Sequence, residues 1–199
     1  MSVDSFSIQK PRQKMPIDPS LTIQPLSAEA FSAYGWMLGK PLNTDGSAPS
    51  YTSPLSDFWR EHLFNTGVAG ETEVLWVRYR NAYDTVASLE AHWLTQQAIV
   101  PLTGPVIQIV ATSTDGGLPD MESLRAFWVP PGEGVCMRPH CWHSTRVVRG
   151  EVTCLMLTRR STTYDLVVHL ETGAPACESA IRSIAAHRLV DFPATQADR

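Results

Sequence analysis

The chain has 199 residues, 43% of them apolar, which is one domain's worth of sequence with enough material for a substantial core. A formal net charge of -4 and a pI near 5.8 provide no basic field to hold a phosphate backbone, so nucleic-acid binding is excluded as a first reading. No apolar signal region opens the chain, no window is apolar enough to span a bilayer, and the final TQADR matches no common C-terminal address. A cytoplasmic protein with no membrane partner is expected.

In chain order, residues 1–20 are polar and proline-rich and read as a flexible N-terminal arm. Leu21 to Leu26 alternates as a strand, and Ser27 to Tyr34 reads as a short helix with Ser27 as N-cap and Gly35 ending it. Trp36 to Pro54 is dominated by turn-forming residues and is expected to be loop. A series of strand-like runs follows: Phe58 to Asn65, Glu73 to Arg80, Val86 to Trp93, Gln97 to Leu102 and Val106 to Ser113. Asp120 to Leu124 can form one helical turn. Strands resume at Ala126 to Val129, Val135 to Arg138, Ser144 to Val148, Val152 to Thr158 and Thr163 to Leu170, before a closing helix near Glu178 to Ala186. Many short strands at regular spacing predict an all-β fold, a barrel or double-stranded jelly roll with a few short helices. It occupies residues 21–190 as a single domain, with 191–199 as a tail. Cys136, Cys141, Cys154 and Cys177 show no CxxC spacing and read as reduced, buried thiols.

The stretch with chemistry in it is LEAHWLTQQAIVPLTG, Leu89 to Gly104. Glu90 and His92 are two apart and share one face of a strand. Gln97 follows after a short connection, and Gly104 closes the returning run. The spacing resembles the first cupin motif, with Glu90 in the place of its first His and Gln97 in that of its carboxylate. A second stretch, VPPGEGVCMRPHCWH, supplies the other hairpin and a fourth inward group, His143.

The chain also resembles the ureidoglycolate lyase family of cupins over about Leu21 to Leu170. The matches are PLSAEAFSAYG (Pro25 to Gly35), LEAHWLTQQAIVP against the family's LExHPxxTQxFxP, LRAF (Leu124 to Phe127) and the stretch from Gly134 to His143. The resemblance implies elimination of urea from ureidoglycolate to leave glyoxylate, in purine-nitrogen salvage and allantoin degradation, by a homodimer associated with a divalent metal, usually nickel. Glu90, His92, Gln97, Arg125, Trp142 and His143 match its pattern, and Arg80 or Arg78 stands where the family has a strand Arg. Three positions depart from it: Arg138 replaces a His, Trp93 a Pro, and Arg159-Arg160 an Asp-Arg pair.

Glu90, His92 and His143 are therefore the candidate catalytic groups, since breakdown of a carbinolamide needs one proton removed and one delivered. The same residues with Gln97 form a candidate N/O ligand set for nickel, zinc or manganese. Metal-independent acid/base catalysis is the other reading of these four side chains. Arg80 and Arg138 are candidates for holding a substrate carboxylate through the guanidinium fork, with Gln97 and Trp142 completing the substrate site. Arg159 and Arg160 alternate in facing, so at most one points inward. Two rival functions stand beside the lyase: a cupin isomerase, decarboxylase or lyase for a more acidic small substrate, and a non-catalytic cupin that binds a small acid.

Overall fold

The computed structural model describes residues 19–42 and 48–190; the expected arm and tail lie outside the described residues, apart from Pro19 and Ser20. Six strands form a ring that closes on itself: β1 (Ser20–Pro25), β13 (Ser179–Val190), β6 (Thr85–His92), β11 (Trp142–Val147), β8 (Val106–Ala111) and β9 (Arg125–Val129). Closure depends on β1, whose first half pairs in parallel with β13 and whose second half pairs in parallel with β9. A second sheet runs in the order β2 (Gly35–Leu38), β10 (Gly134–Met137), β7 (Gln97–Pro101), β12 (Val152–Arg159) and β5 (Thr72–Tyr79). A small hairpin, β3 (Ser50–Thr52) with β4 (Asp57–Trp59), stands apart. This is the all-β, cupin-like jelly roll that the strand pattern predicts.

Strand alternation divides the interior into two cores. Leu89 and Ala91 of β6, Ile107, Ile109 and Ala111 of β8, and Trp142 of β11 face the inside of the ring. Val106 and Val110 of β8, Phe127 and Val129 of β9, and Val147 of β11 face the other way, onto Ile99, Val135, Met137, Cys154 and Met156 of the second sheet. The functional face is this second one, because Glu90, His92 and His143 alternate with ring-facing neighbours.

Two elements exchange the types expected of them. Thr163 to Leu170, read as a strand from its Thr and Val content, belongs to the helix α1 (Arg160–Thr172). Gly173 stops that helix in the left-handed conformation at φ 74°, and its N–H donates to the His169 carbonyl. Glu178 to Ala186, read as a helix from its alanines, lies almost entirely in the long strand β13. Pairing with β6 and β1 satisfies two ladders that would otherwise be open edges, and this outweighs the weak helix propensity.

Smaller corrections lie near the N-terminus. Ser27 to Tyr34 makes successive turns rather than a helix, although the Ser27 hydroxyl does cap by accepting from the Ala30 N–H. The expected loop after Tyr34 contains β2 and β3, and its residues 43–47 lie outside the described residues. The run from Phe58 to Asn65 is strand only at its start. Cys136, Cys141 and Cys154 are buried free thiols, whereas Cys177 is exposed.

Candidate active site

β6 carries Glu90 and His92 on one face, and antiparallel pairing sets His143 of β11 directly opposite Glu90. One ligand atom from each of the three lies within 4.8 Å of the others. The imidazoles of His92 and His143 meet edge to face, with centroids 5.1 Å apart. Gln97 enters from the second sheet, and its Nε2 lies 3.0 Å from His92 Nε2. The structure thus brings together Glu90, His92, His143 and Gln97.

Hydrogen bonding fixes how each ring is presented. His143 Nδ1 lies 3.0 Å from the Cys141 carbonyl, which can only accept, so Nδ1 donates there and Nε2 is the atom turned toward Glu90. That Nε2 is buried, and Glu90 Oε1 lies 3.2 Å from it. His92 is arranged alike: the Gln97 amide nitrogen donates to its Nε2, so its Nδ1–H donates to the Ser179 hydroxyl at 3.0 Å. Burial, reinforced by His143, pushes His92 down to about 4, and it is neutral at working pH. Burial would raise Glu90, but its contact with His143 and the pull of both imidazoles outweigh this and hold the carboxyl below the usual range. The site therefore gathers one carboxylate and two imidazole nitrogens, a donor set that fits a borderline divalent cation. The mark of that fit is convergence, since one donor atom from each of Glu90, His92 and His143 lies within 4.8 Å of the others and crowding buried polar groups is costly without a shared partner.

Three residues assigned to substrate binding from sequence lie elsewhere. Arg80 points away from the cluster on the outer face of β5, where it and Arg78 share the Glu151 carboxylate at 2.7 and 3.0 Å. Register explains this: Leu75, Val77 and Tyr79 take the inward positions of the strand, leaving the even-numbered residues outside. Arg138 is exposed, stacked over the Trp36 ring at 4.5 Å and donating to the Ser32 carbonyl. Trp142 turns into the ring core, fully buried, because its neighbour His143 takes the site face. Arg159 is tied to Glu178 and to the Thr66 carbonyl, while Arg160 pairs with Glu71 at the start of α1.

Four side chains at the site escaped the sequence reading. Ser179, which holds His92, sits on the segment read as a helix. Tyr79 faces the site from β5; burial, then the charge of Glu90, raises its phenol above the ordinary value, against a hydrogen bond with Thr145. Thr145 donates to Gln108 at 3.0 Å. A signal for Gln108 was present, since it is the single polar residue in the otherwise apolar VIQIVA.

Comparison with known proteins places the chain among named relatives. Three curated relatives are ureidoglycolate lyases. That of Rhodobacter capsulatus is 34% identical over 62% of this chain and 75% of its own. That of Pseudomonas fluorescens is 30% identical, over 62% and 74%. That of Burkholderia mallei is 31% identical, over 71% and 82%. Among solved structures, RmlC from Streptococcus suis aligns at TM-score 0.39 and 10% identity over 71% of each chain. Oxalate decarboxylase from Bacillus subtilis aligns at 0.35 and 11%, over 58% of this chain and 34% of its own. The family profile described as ureidoglycolate lyase matches residues 18–173, most of the chain including all four clustered residues, and the protein belongs to the ureidoglycolate lyase family.

Proposed function

We propose that this protein eliminates urea from ureidoglycolate, leaving glyoxylate, with Glu90 as the group that moves the proton. The observation that carries this is the placement of Glu90: its carboxylate, held below the usual range, lies 3.2 Å from His143 Nε2 on the face it shares with His92. Its side chain keeps 34% of its surface exposed, against 3% for His143, so it is also the member a substrate reaches. The hydroxyl oxygen and the leaving nitrogen of a carbinolamide share one carbon. A single carboxylate can take the proton from the first and return it to the second as the C–N bond breaks and the carbonyl forms. His143 and His92 orient Glu90 and the substrate. Gln97 lies on the fourth side as a neutral donor.

Glu90, His92 and His143 would hold a nickel, zinc or manganese ion, which when bound supplies positive charge for the substrate carboxylate and the developing carbonyl. The outward placement of Arg80 and Arg138 favours this over a guanidinium clamp. A lyase for a more acidic substrate would have needed Arg138 inside, and a small-acid sensor would not need a poised carboxylate. The reading places the protein in purine-nitrogen salvage, in the cytoplasm, where three buried free thiols are at home. It further makes the protein a homodimer joined through the outer face of the second sheet, where Trp76 is 69% and Val74 60% exposed opposite Leu155 and Leu157. Among the described residues no helix is long and apolar enough to cross a membrane.

The test is incubation of purified protein with ureidoglycolate and each of the three ions, measuring glyoxylate, urea and ammonia. Glyoxylate and urea are expected in equal amounts without ammonia, and Glu90→Gln is expected to lower kcat by about a hundredfold or more while still folding. Ammonia release would indicate amide hydrolysis instead, and no glyoxylate with any ion would overturn the reading.

A further inference from the structure

Between the two sheets lies a second polar group that the elimination chemistry above does not use. Gln108 is wholly buried at 0% exposure and Thr145 nearly so at 8%. They are cross-strand partners on β8 and β11, and the Thr145 hydroxyl donates to Gln108 Oε1. On the same face His143 pairs with Val110, so the Gln108–Thr145 pair lies two residues farther along, about 7 Å from the cluster. That is the span of a small ureido acid.

The amide nitrogen of Gln108 points across the sandwich. Among the described residues its bond is to Met137 Sδ at 3.5 Å, and Met137 is the register partner of Gln97, which touches His92. A thioether is a weak acceptor, and a primary amide has two N–H groups to satisfy. Leaving such a donor without a good partner costs about 1–3 kcal/mol. The surrounding residues of this face, Val106, Val110, Phe127 and Val129, show that the fold packs this layer with apolar side chains. What a glutamine adds in this apolar layer is a buried amide N–H whose partner is the weak thioether acceptor of Met137.

We propose that Gln108, seated by Thr145, is a specificity-determining residue that receives the uncharged ureido end of the substrate, donating to its carbonyl oxygen. The inference rests on the elimination reading and assigns the orientation of the substrate within it. A neutral amide and hydroxyl would leave a carboxylate without counter-charge, whereas a ureido group meets complementary donors and acceptors. The carboxylate then lies at the Glu90–His92–His143 end, where a cation would be held. As the C–N bond breaks, the electron pair passes to the urea nitrogen and is shared with its carbonyl oxygen, so the Gln108 N–H strengthens as it is needed.

Two non-reacting probes separate the ends of the substrate: N-carbamoylglycine keeps the ureido group and carboxylate but lacks the hydroxyl, and glycolate lacks the ureido group. Calorimetric titration of both is made against wild type and Gln108→Met, which preserves side-chain length and volume. Gln108→Met is expected to weaken N-carbamoylglycine about tenfold, leave glycolate within about twofold, and lower kcat/KM for ureidoglycolate about tenfold or more. Thr145→Val, which unseats the amide without touching substrate, is expected to shift the same ratio in the same direction by less, and it serves if Gln108→Met fails to fold. Equal weakening of both probes, or none, overturns the proposal. A wild type inert toward ureidoglycolate overturns the elimination reading instead, a separate result because probe binding is measured without turnover.

Discussion

Three titratable groups share one face of the first sheet, and their mutual influence decides which protons the site can move. His92 is the informative member, because its pKa of about 4 lies well below the ordinary 6.5. In metal-free protein the unfolded chain binds this proton more readily than the folded one. The contribution of neutral His92 to stability is therefore complete above about pH 6.5 and is lost as pH falls toward 4. Glu90, held below its usual range, loses its contribution in the same direction on acidification. With chelator present, the urea unfolding free energy is expected to fall between pH 7 and pH 5, with about 2 kcal/mol of the loss due to His92. His92→Gln should flatten the slope over that interval; an unchanged slope would show that His92 is not held neutral.

The elements that position this face depend on close approaches as much as on pairing. Gly35 opens β2 opposite Met137, and a Cβ placed there would lie 2.0 Å from the Cys136 carbonyl oxygen. Glycine is required at that point because the two backbones meet, not because a helix ends there. Gly35→Ala is expected to push β2 off β10, the strand that carries Met137 against Gln108, and to cost about 1–3 kcal/mol. Thermal unfolding measures the loss, with a drop of several degrees expected. Gly116, where an added Cβ would meet nothing closer than 3.8 Å, is the control and should tolerate alanine with little change.

For the whole molecule the outer face of the second sheet is the feature out of keeping with an isolated chain. Trp76 and Val74 stand exposed on an edge strand, in register with Leu155 and Leu157, and Val100 continues the stripe beyond Leu155. Contiguous exposed apolar patches are where interaction surfaces are found, and the homodimer reading puts the second copy on this one. The homodimer reading expects light scattering to give twice the chain mass of 22.0 kDa, and Trp76→Asp to give the single-chain mass with the site intact. A wild type that scatters as one chain would remove the dimer from the proposal.

The β-rich architecture and the shared face of Glu90 and His92 were legible in the sequence because both follow from a period of two. Gln97 and His143 were legible through the resemblance to the two cupin motifs, which sets them on adjoining hairpins. The exchange of helix and strand at the C-terminal end was not legible: Thr and Val in α1, and Ala and Arg in β13, state propensities that closing the ring overrules. The facing of Arg80 and Trp142 was likewise beyond the sequence, because a strand's period is visible in the residues but its phase is set by which face finds a core. The same holds for Ser179 behind His92 and Gln108 behind Thr145, pairs joined only by long-range register. Sequence alone determined that Glu90 and His92 share one face and named Gln97 and His143 as their candidate neighbours; the tertiary structure decided which hydrogen-bond partners each of the four meets, since those partners are brought together only by the closed sheet.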